Sequence, residues 1–399
     1  MRPEHAPLSS ALPAPANPIA AVIHPDPYPY YSRLATEPLY REDALGLWVA
    51  ASASAVTAVL TSELCRVRPP AEPVPRALVG SPAGEIFRQL VRMNDRQDRC
   101  PLKAAIVAAL GSIAGPELEN EARGIARRLA APIEPDGDPR AVTRFCFALS
   151  THVLARRLGL PPERLEEAAS WTGDLVCAFS PAAVPDEIER GKAAAGDLLE
   201  LLDPRKGETA TGAGQALLKT LAREAARRGR DDSGAIAANA IGFLTQAYEA
   251  TAGLLGNTLL ALAAHPDLLQ ADGGRLRPGV VAEVLRCDPP VQNTRRFLAG
   301  TGSVADREMG EGEAVLVVLA AANRDPAANP APNLFDPARS DRRLFTFGTG
   351  AHACPGEGLA ETIARVGVEE LLAAGVDPQR LAETVTYRPS ANTRVPLFG

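Results

Sequence analysis

Phe347-Gly348-Thr349-Gly350-Ala351-His352-Ala353-Cys354-Pro355-Gly356 places one cysteine at the mouth of a helix, behind a glycine-rich loop. Gly348 and Gly350 give that loop the backbone freedom a tight turn needs, and Gly356 removes a side chain where protein has to approach a flat ligand closely. Pro355 suits a helix start, and the apolar, Glu-rich stretch 357–372 continues it as far as Gly375. The Cys354 sulfur then sits at the positive end of a helix dipole, which favours thiolate over thiol. A thiolate is a ligand for iron, haem iron included. Taken alone, Cys354 reads as a buried structural cysteine, since unpaired cysteine is among the most buried residue types; its neighbours point to chemistry.

Outward from this run, composition sets limits. A chain of 399 residues, 46% hydrophobic and 23% charged, can bury a large core. Net charge is -6 and the arginines are dispersed among carboxylates, which argues against nucleic acid. The six cysteines lie far apart with no CxxC, the pattern of a reducing compartment without a disulfide frame. The most apolar long segment, 250–264, is too short to span a membrane and contains Thr251, Asn257 and Thr258, so the expectation is a soluble, cytoplasmic protein.

Residues 1–18, rich in proline and alanine, read as a flexible arm ahead of one domain over 19–399. The first hundred residues mix short strand-like pieces such as Leu47-Trp48-Val49-Ala50 with proline-rich loops, notably 67–75. Over 102–228 apolar residues recur at three- and four-residue spacing, predicting helices near 117–131, 142–158, 163–176 and 213–227. A long helix over 233–264, apolar on all sides and on the order of 45 Å long, should cross the core. Residues 291–319 read as strands and 321–344 as a proline-punctuated loop. The fold class is mainly α, with a small β-rich lobe.

The ten-residue run resembles the signature of the cytochrome P-450 superfamily, Phe-Gly-x-Gly-x-His-x-Cys-x-Gly, at every fixed position; such a match arises by chance less than about once in a million starting points. The resemblance implies the cytochrome P-450 fold, haem b as cofactor and Cys354 as its axial ligand, with Phe347, Gly348 and Gly356 in the haem loop. Within the long helix, Leu244-Thr245-Gln246-Ala247-Tyr248-Glu249-Ala250-Thr251 resembles the family's oxygen-side segment, and by that register Glu249 relays protons. Read without the register, Glu249 is a satisfied core carboxylate. Glu283 and Arg286 match the family's Glu-x-x-Arg, which implies a structural lock, with Arg286 also free to hold carbonyls of the loop 335–339; the spacing alone means a surface pair. Arg296 and His352 match the residues that hold haem propionates. Arg99 and Lys103 stand where the family has His-x-x-x-Arg and keep the positive charge on one helix face; read alone they are a solvated basic turn.

The segment departs from the family's pattern at Ala250, where a threonine hydroxyl is usual. Alanine donates no hydrogen bond, so protons must come from Thr251, Gln246, ordered water or a substrate hydroxyl. Monooxygenation of a small secondary-metabolite-type substrate leads. Peroxide-driven oxidation, ring closure or dehydrogenation gains weight, and a non-catalytic haem-binding protein is a further alternative. The chain has no strand-flanked GxGxxG for a flavin or nicotinamide, so the resemblance implies ferredoxin and ferredoxin reductase as electron donors, with Arg339, Arg342 and Arg343 as a basic docking face. By register the substrate pocket draws on 77–86, 178–185, the helix residues Gln246, Ala247 and Ala250, 292–294 and 390–393, whose amides and hydroxyls suit an amino-acid-derived or carrier-tethered molecule. Zinc is disfavoured, because no closed ligand spacing occurs.

Overall fold

A computed structural model describes residues 13–95, 99–113, 115–204, 217–268 and 275–399. Helix accounts for about 54% of the structure. Three helices precede the main helical part: α1 (Tyr28–Leu34), α2 (Ala53–Thr61) and α3 (Pro82–Gln89). The helical part comprises α4 (Arg99–Gly111), α5 (Pro116–Ala130), α6 (Arg140–Leu158), α7 (Leu165–Ala178), α8 (Pro185–Leu201), α9 (Leu217–Ala226) and α10 (Ser233–Ala264). After α11 (Val280–Cys287) come α12 (Leu319–Ala322), α13 (Glu357–Ala373) and α14 (Pro378–Glu383).

The central helix has the bounds expected for it. Asp232 caps it, its carboxylate accepting from Gly234 N–H at 2.9 Å and Ala235 N–H at 3.2 Å. Its first half packs into one apolar cluster through Ile236, Ile241 and Leu244, and its second half into another through Leu255, Leu259 and Leu262. Between them burial breaks: Gln246 is exposed, and residues 247–250 are only partly covered. At that break one side of the helix lines a cavity, while Tyr248 packs against Phe147 of α6 with ring centroids 4.9 Å apart.

A small sheet in the order β1-β2-β7-β4-β3 forms the second lobe, from β1 (Tyr40–Glu42), β2 (Leu47–Ala50), β3 (Cys65–Arg66), β4 (Thr294–Leu298) and β7 (Ala314–Val317). Only the β2–β7 pair is parallel. Two hairpins complete the strands, β5 (Gly302–Val304) with β6 (Arg307–Met309), and β8 (Val385–Tyr387) with β9 (Pro396–Phe398). The first hundred residues thus hold three helices as well as strands and loops. In α2, Ser52 accepts from Ala55 N–H and the chain buries Val56 and Val59 against the sheet, which overrides the strand preference of its β-branched residues.

Residues 1–12 lie outside the described residues. Pro15 and Pro18 are buried, so the described end of the expected arm is packed. No helix of the described residues is long and apolar enough to cross a membrane.

Candidate active site

The loop before α13 is built by hydrogen bonds between its own backbone groups. Gly348 N–H returns to Phe345 O at 2.8 Å, Ala353 N–H to Gly350 O at 3.1 Å and Cys354 N–H to Phe347 O at 2.9 Å. Gly348 and Gly350 adopt φ of +65° and +68°, the left-handed region where a side chain is strained. Gly350 also lies against α2, where a Cβ would come within 3.3 Å of Leu60 O. Gly356, at the N-cap of α13, donates its N–H to Cys354 Sγ at 3.4 Å. A Cβ there would meet that sulfur at an ordinary 3.7 Å, so crowding is not what requires this glycine.

Cys354 is exposed and lines a cavity of about 280 Å³. Burial pushes its thiol pKa up, against the pull of the Gly356 N–H, Lys103 and Arg92. The expected bias toward thiolate is therefore outweighed in the protein alone, because desolvating the charged sulfur costs more than one helix end returns. Among the described residues no group of three His, Cys, Asp or Glu side chains is assembled to hold a bare metal ion. Opposite the apolar surfaces of Phe347, Leu359 and Ile363, α10 supplies Gln246, Ala247, Ala250 and Thr251 to the same cavity. Gln246 Nε2 is tied to Gly242 O at 2.7 Å, while the Thr251 hydroxyl makes no hydrogen bond among the described residues.

Glu249 does not line this cavity. Its carboxylate pairs with Arg388 Nε at 3.0 Å and accepts from the Thr393 hydroxyl at 2.8 Å, and Thr393 is in turn 2.8 Å from Ser390 Oγ. Of the segments expected to form the substrate pocket, α10 contributes Gln246, Ala247 and Ala250 to the wall, whereas 77–86, 178–185, 292–294 and 390–393 contribute no residue. Two of their amides are tied to nearby backbone, Gln292 Nε2 to Pro289 O at 2.6 Å and Asn293 Nδ2 to Ala391 O at 2.9 Å.

The expected cations are distributed unevenly. Lys103, on the second turn of α4, lines the cavity with Nζ 2.7 Å from Ala353 O. Arg99 opens α4, but its side chain lies outside the described residues. Arg296 is buried and does not line the cavity; Nη1 bonds Arg295 O at 2.9 Å and Thr294 Oγ1 at 3.3 Å. His352 Nε2 sits 2.9 Å from Asp95 Oδ1. Burial works to raise the Asp95 carboxyl, but that bond and the Val67 N–H hold it below the usual range. Arg92, which no motif marks, lines the cavity beside Lys103.

Glu283 and Arg286 form no surface pair: both side chains are fully buried, with Arg286 Nη2 to Glu283 Oε1 at 2.7 Å. Arg286 donates onward to Pro332 O at 2.7 Å and Leu334 O at 2.9 Å, just ahead of the loop 335–339 it was expected to hold. Glu283 also accepts from Asp336 N–H at 3.1 Å and Arg342 Nε at 2.9 Å, and Arg339 lies 3.5 Å away. Burial works to raise Glu283, but these bonds outweigh it and hold the carboxyl below the usual range. The docking face expected of three arginines is corrected accordingly, because Arg339 and Arg342 serve this buried carboxylate and only Arg343 is exposed.

One soft sulfur donor in the wall of a mostly apolar cavity, with Lys103, Arg92 and a stretch of the long helix in the same wall, fits a planar acidic cofactor such as haem. The site and fold thus define a helical protein of the haem-thiolate class. The family description Cytochrome P450 matches residues 276–374. Cytochrome P450 107B1 of Saccharopolyspora erythraea is 32% identical over 286 residues, 70% of this chain and 68% of that protein. Vitamin D(3) 25-hydroxylase of Pseudonocardia autotrophica is 32% identical over 70% of this chain and 69% of its own. The crystal structure of CalO2 superimposes with a TM-score of 0.79 at 26% identity, covering 94% of this chain and 96% of that one. The chain belongs to the cytochrome P450 family. It is an oxidoreductase of the monooxygenase type, a family whose members hold haem through a cysteine thiolate.

Proposed function

We propose that Cys354 is the axial thiolate of haem b and that the protein inserts one oxygen atom of O2 into a small secondary-metabolite-type substrate, with electrons from ferredoxin and its reductase. The observation that carries this reading is a single cavity whose wall includes both the Cys354 thiol and residues 246, 247, 250 and 251 of α10. When bound, haem with a thiolate ligand supplies the oxygen-activating chemistry.

The remaining tasks fall to the chain. The Gly356 N–H and Lys103 favour the charged sulfur, and the loop through Phe347 and Gly348 fixes its position. Lys103, Arg296, His352 and Arg99 are assigned to the cofactor's carboxylates. Thr251 holds a transferable proton at its free hydroxyl, and Gln246 orients polar groups beside it. Glu249 takes up protons on the far side of α10, where Thr393 and Ser390 continue the hydroxyl chain. The substrate, free or carrier-tethered, enters against mostly apolar walls. The five described cysteines are unpaired, which supports a reducing, cytoplasmic setting.

The test is the optical spectrum of the reduced, carbon-monoxide-bound protein beside Cys354→Ser. The wild type should show the strongly red-shifted band of thiolate ligation, and the variant should lose it. Absence of that band in haem-supplied wild type sinks the reading. Ala250 favours a second chemistry, peroxide-driven oxidation or ring closure and dehydrogenation, because the cavity lacks the usual donor there. Turnover with hydrogen peroxide and no ferredoxin would identify peroxide-driven oxidation, and a product that has lost two hydrogens without gaining oxygen would identify ring closure or dehydrogenation; a product carrying one atom of O2, formed only with ferredoxin, would dismiss both.

A further inference from the structure

Between α3 and α4 the chain makes a single turn over Val91–Met93. Asn239 of α10 clamps it from both sides: its Oδ1 accepts from Val91 N–H at 3.0 Å and its Nδ2 donates to Gln89 O at 2.9 Å. Leu90 and Val91 are buried, so the turn cannot drift, and the Arg92 side chain is delivered to the cavity wall beside Lys103 and Cys354.

There it lacks an anion. Arg92 makes no hydrogen bond or ion pair among the described residues. Of the acids near it in sequence, Glu85 is committed to Arg88 and Gln89 and Asp95 to His352 and the Val67 N–H, while Asp98 lies outside the described residues. Of the other polar side chains on that wall, Asn239, Gln246, Thr251 and Thr346 carry no charge and Lys103 is a second cation. The exposed Arg92 side chain lines the cavity with no counter-charge among the described residues, and its planar fork of donors matches a carboxylate.

We propose that Arg92 is a carboxylate-binding residue of this cavity. The carboxylate has two sources, a propionate of the cofactor or the carboxyl group of an acidic substrate. Only the first source depends on the haem reading given above.

The experiment uses holoprotein of the wild type, Arg92→Gln and Arg92→Lys, with melting temperatures recorded alongside. In one arm, haem transfer to excess apomyoglobin is timed. In the other, calorimetry compares 3-phenylpropanoate with its uncharged amide. Removing a charge-assisted hydrogen bond costs about tenfold to a hundredfold in affinity. A propionate contact predicts that Arg92→Gln releases haem at least about tenfold faster, with Arg92→Lys between it and wild type. A substrate contact predicts that the wild type prefers the acid over the amide and that Arg92→Gln loses this preference while haem transfer is unmoved. The proposal is overturned if haem transfer stays within about twofold and no acid preference depends on Arg92, whatever the melting temperatures do. A wild type without the thiolate band fails the haem reading separately, and the calorimetric arm still decides the substrate source.

Discussion

Ala250 leaves the cavity face of α10 without a hydroxyl at the position where the family usually has one, and the next residue supplies it. Thr251 is buried, lines the cavity and has an uncommitted hydroxyl, whereas Gln246 is held by Gly242 O. Proton transfer by a positioned group contributes roughly a hundredfold or more. Thr251→Val, which keeps shape and removes the donor, should therefore lower product formed per electron consumed by at least about tenfold while leaving the carbon-monoxide band intact. Equal coupling in the variant would move the proton source to water or to the substrate. Gln246, Ala250, Thr251 and Cys354 are legible in the sequence because each sits in a recognisable run. Arg388 and Arg92 are not, because their roles arise from chain segments brought together only by folding. Arg388 closes on Glu249 from 139 positions away, and no spacing rule connects them.

The long helix works as an element because neighbours approach it more closely than a side chain would permit. A Cβ at Gly253 would lie 2.6 Å from Arg394 O and 2.8 Å from Pro290 Cβ, whereas one at Gly196 in α8 would meet nothing within 4 Å. Gly253→Ala should cost about 1–3 kcal/mol through overpacking, read as a lower melting temperature. Gly196→Ala should stabilise by roughly 0.4–1 kcal/mol because it restricts only the unfolded chain. The short helix α11 carries the other sensitive pair. Glu283→Gln leaves Arg286 as a buried unpaired charge and should cost about 3–5 kcal/mol. The carboxyl is held low in the folded state, so its contribution is present above the unfolded value of about 4.3 and disappears as pH falls through the lower folded value. The gap in melting temperature between wild type and Glu283→Gln should narrow below about pH 4. A gap independent of pH would mean that the carboxyl does not titrate there. Long periodic helices such as α6 and α10 announce themselves in sequence. In α1 the helix is short and carries proline near its start, and in α2 the β-branched residues obscure a helix that depends on its cap and the sheet beneath it.

At the scale of the whole molecule, charge has two separate uses that sequence alone conflates. Arg339, Arg342 and Arg343 precede the cysteine loop as one basic cluster in the chain, yet folding turns the first two inward to Glu283 and leaves the third outside. Arg342 therefore belongs to stability and Arg343 to the surface, where its guanidinium lies 5.9 Å from the Phe345 ring. A ferredoxin approaching this face would meet Arg343 but not its neighbours. Arg342→Glu should lower the melting temperature by opposing Glu283 with like charge. Arg343→Glu should leave the melting temperature in place and slow ferredoxin-supported reduction several-fold at low salt. That difference should fade as salt approaches about 1 M, where screening acts within about 3 Å. If Arg343→Glu reduces at the wild-type rate in low salt, the partner's acidic surface docks elsewhere, and the basic run before the loop serves the fold alone.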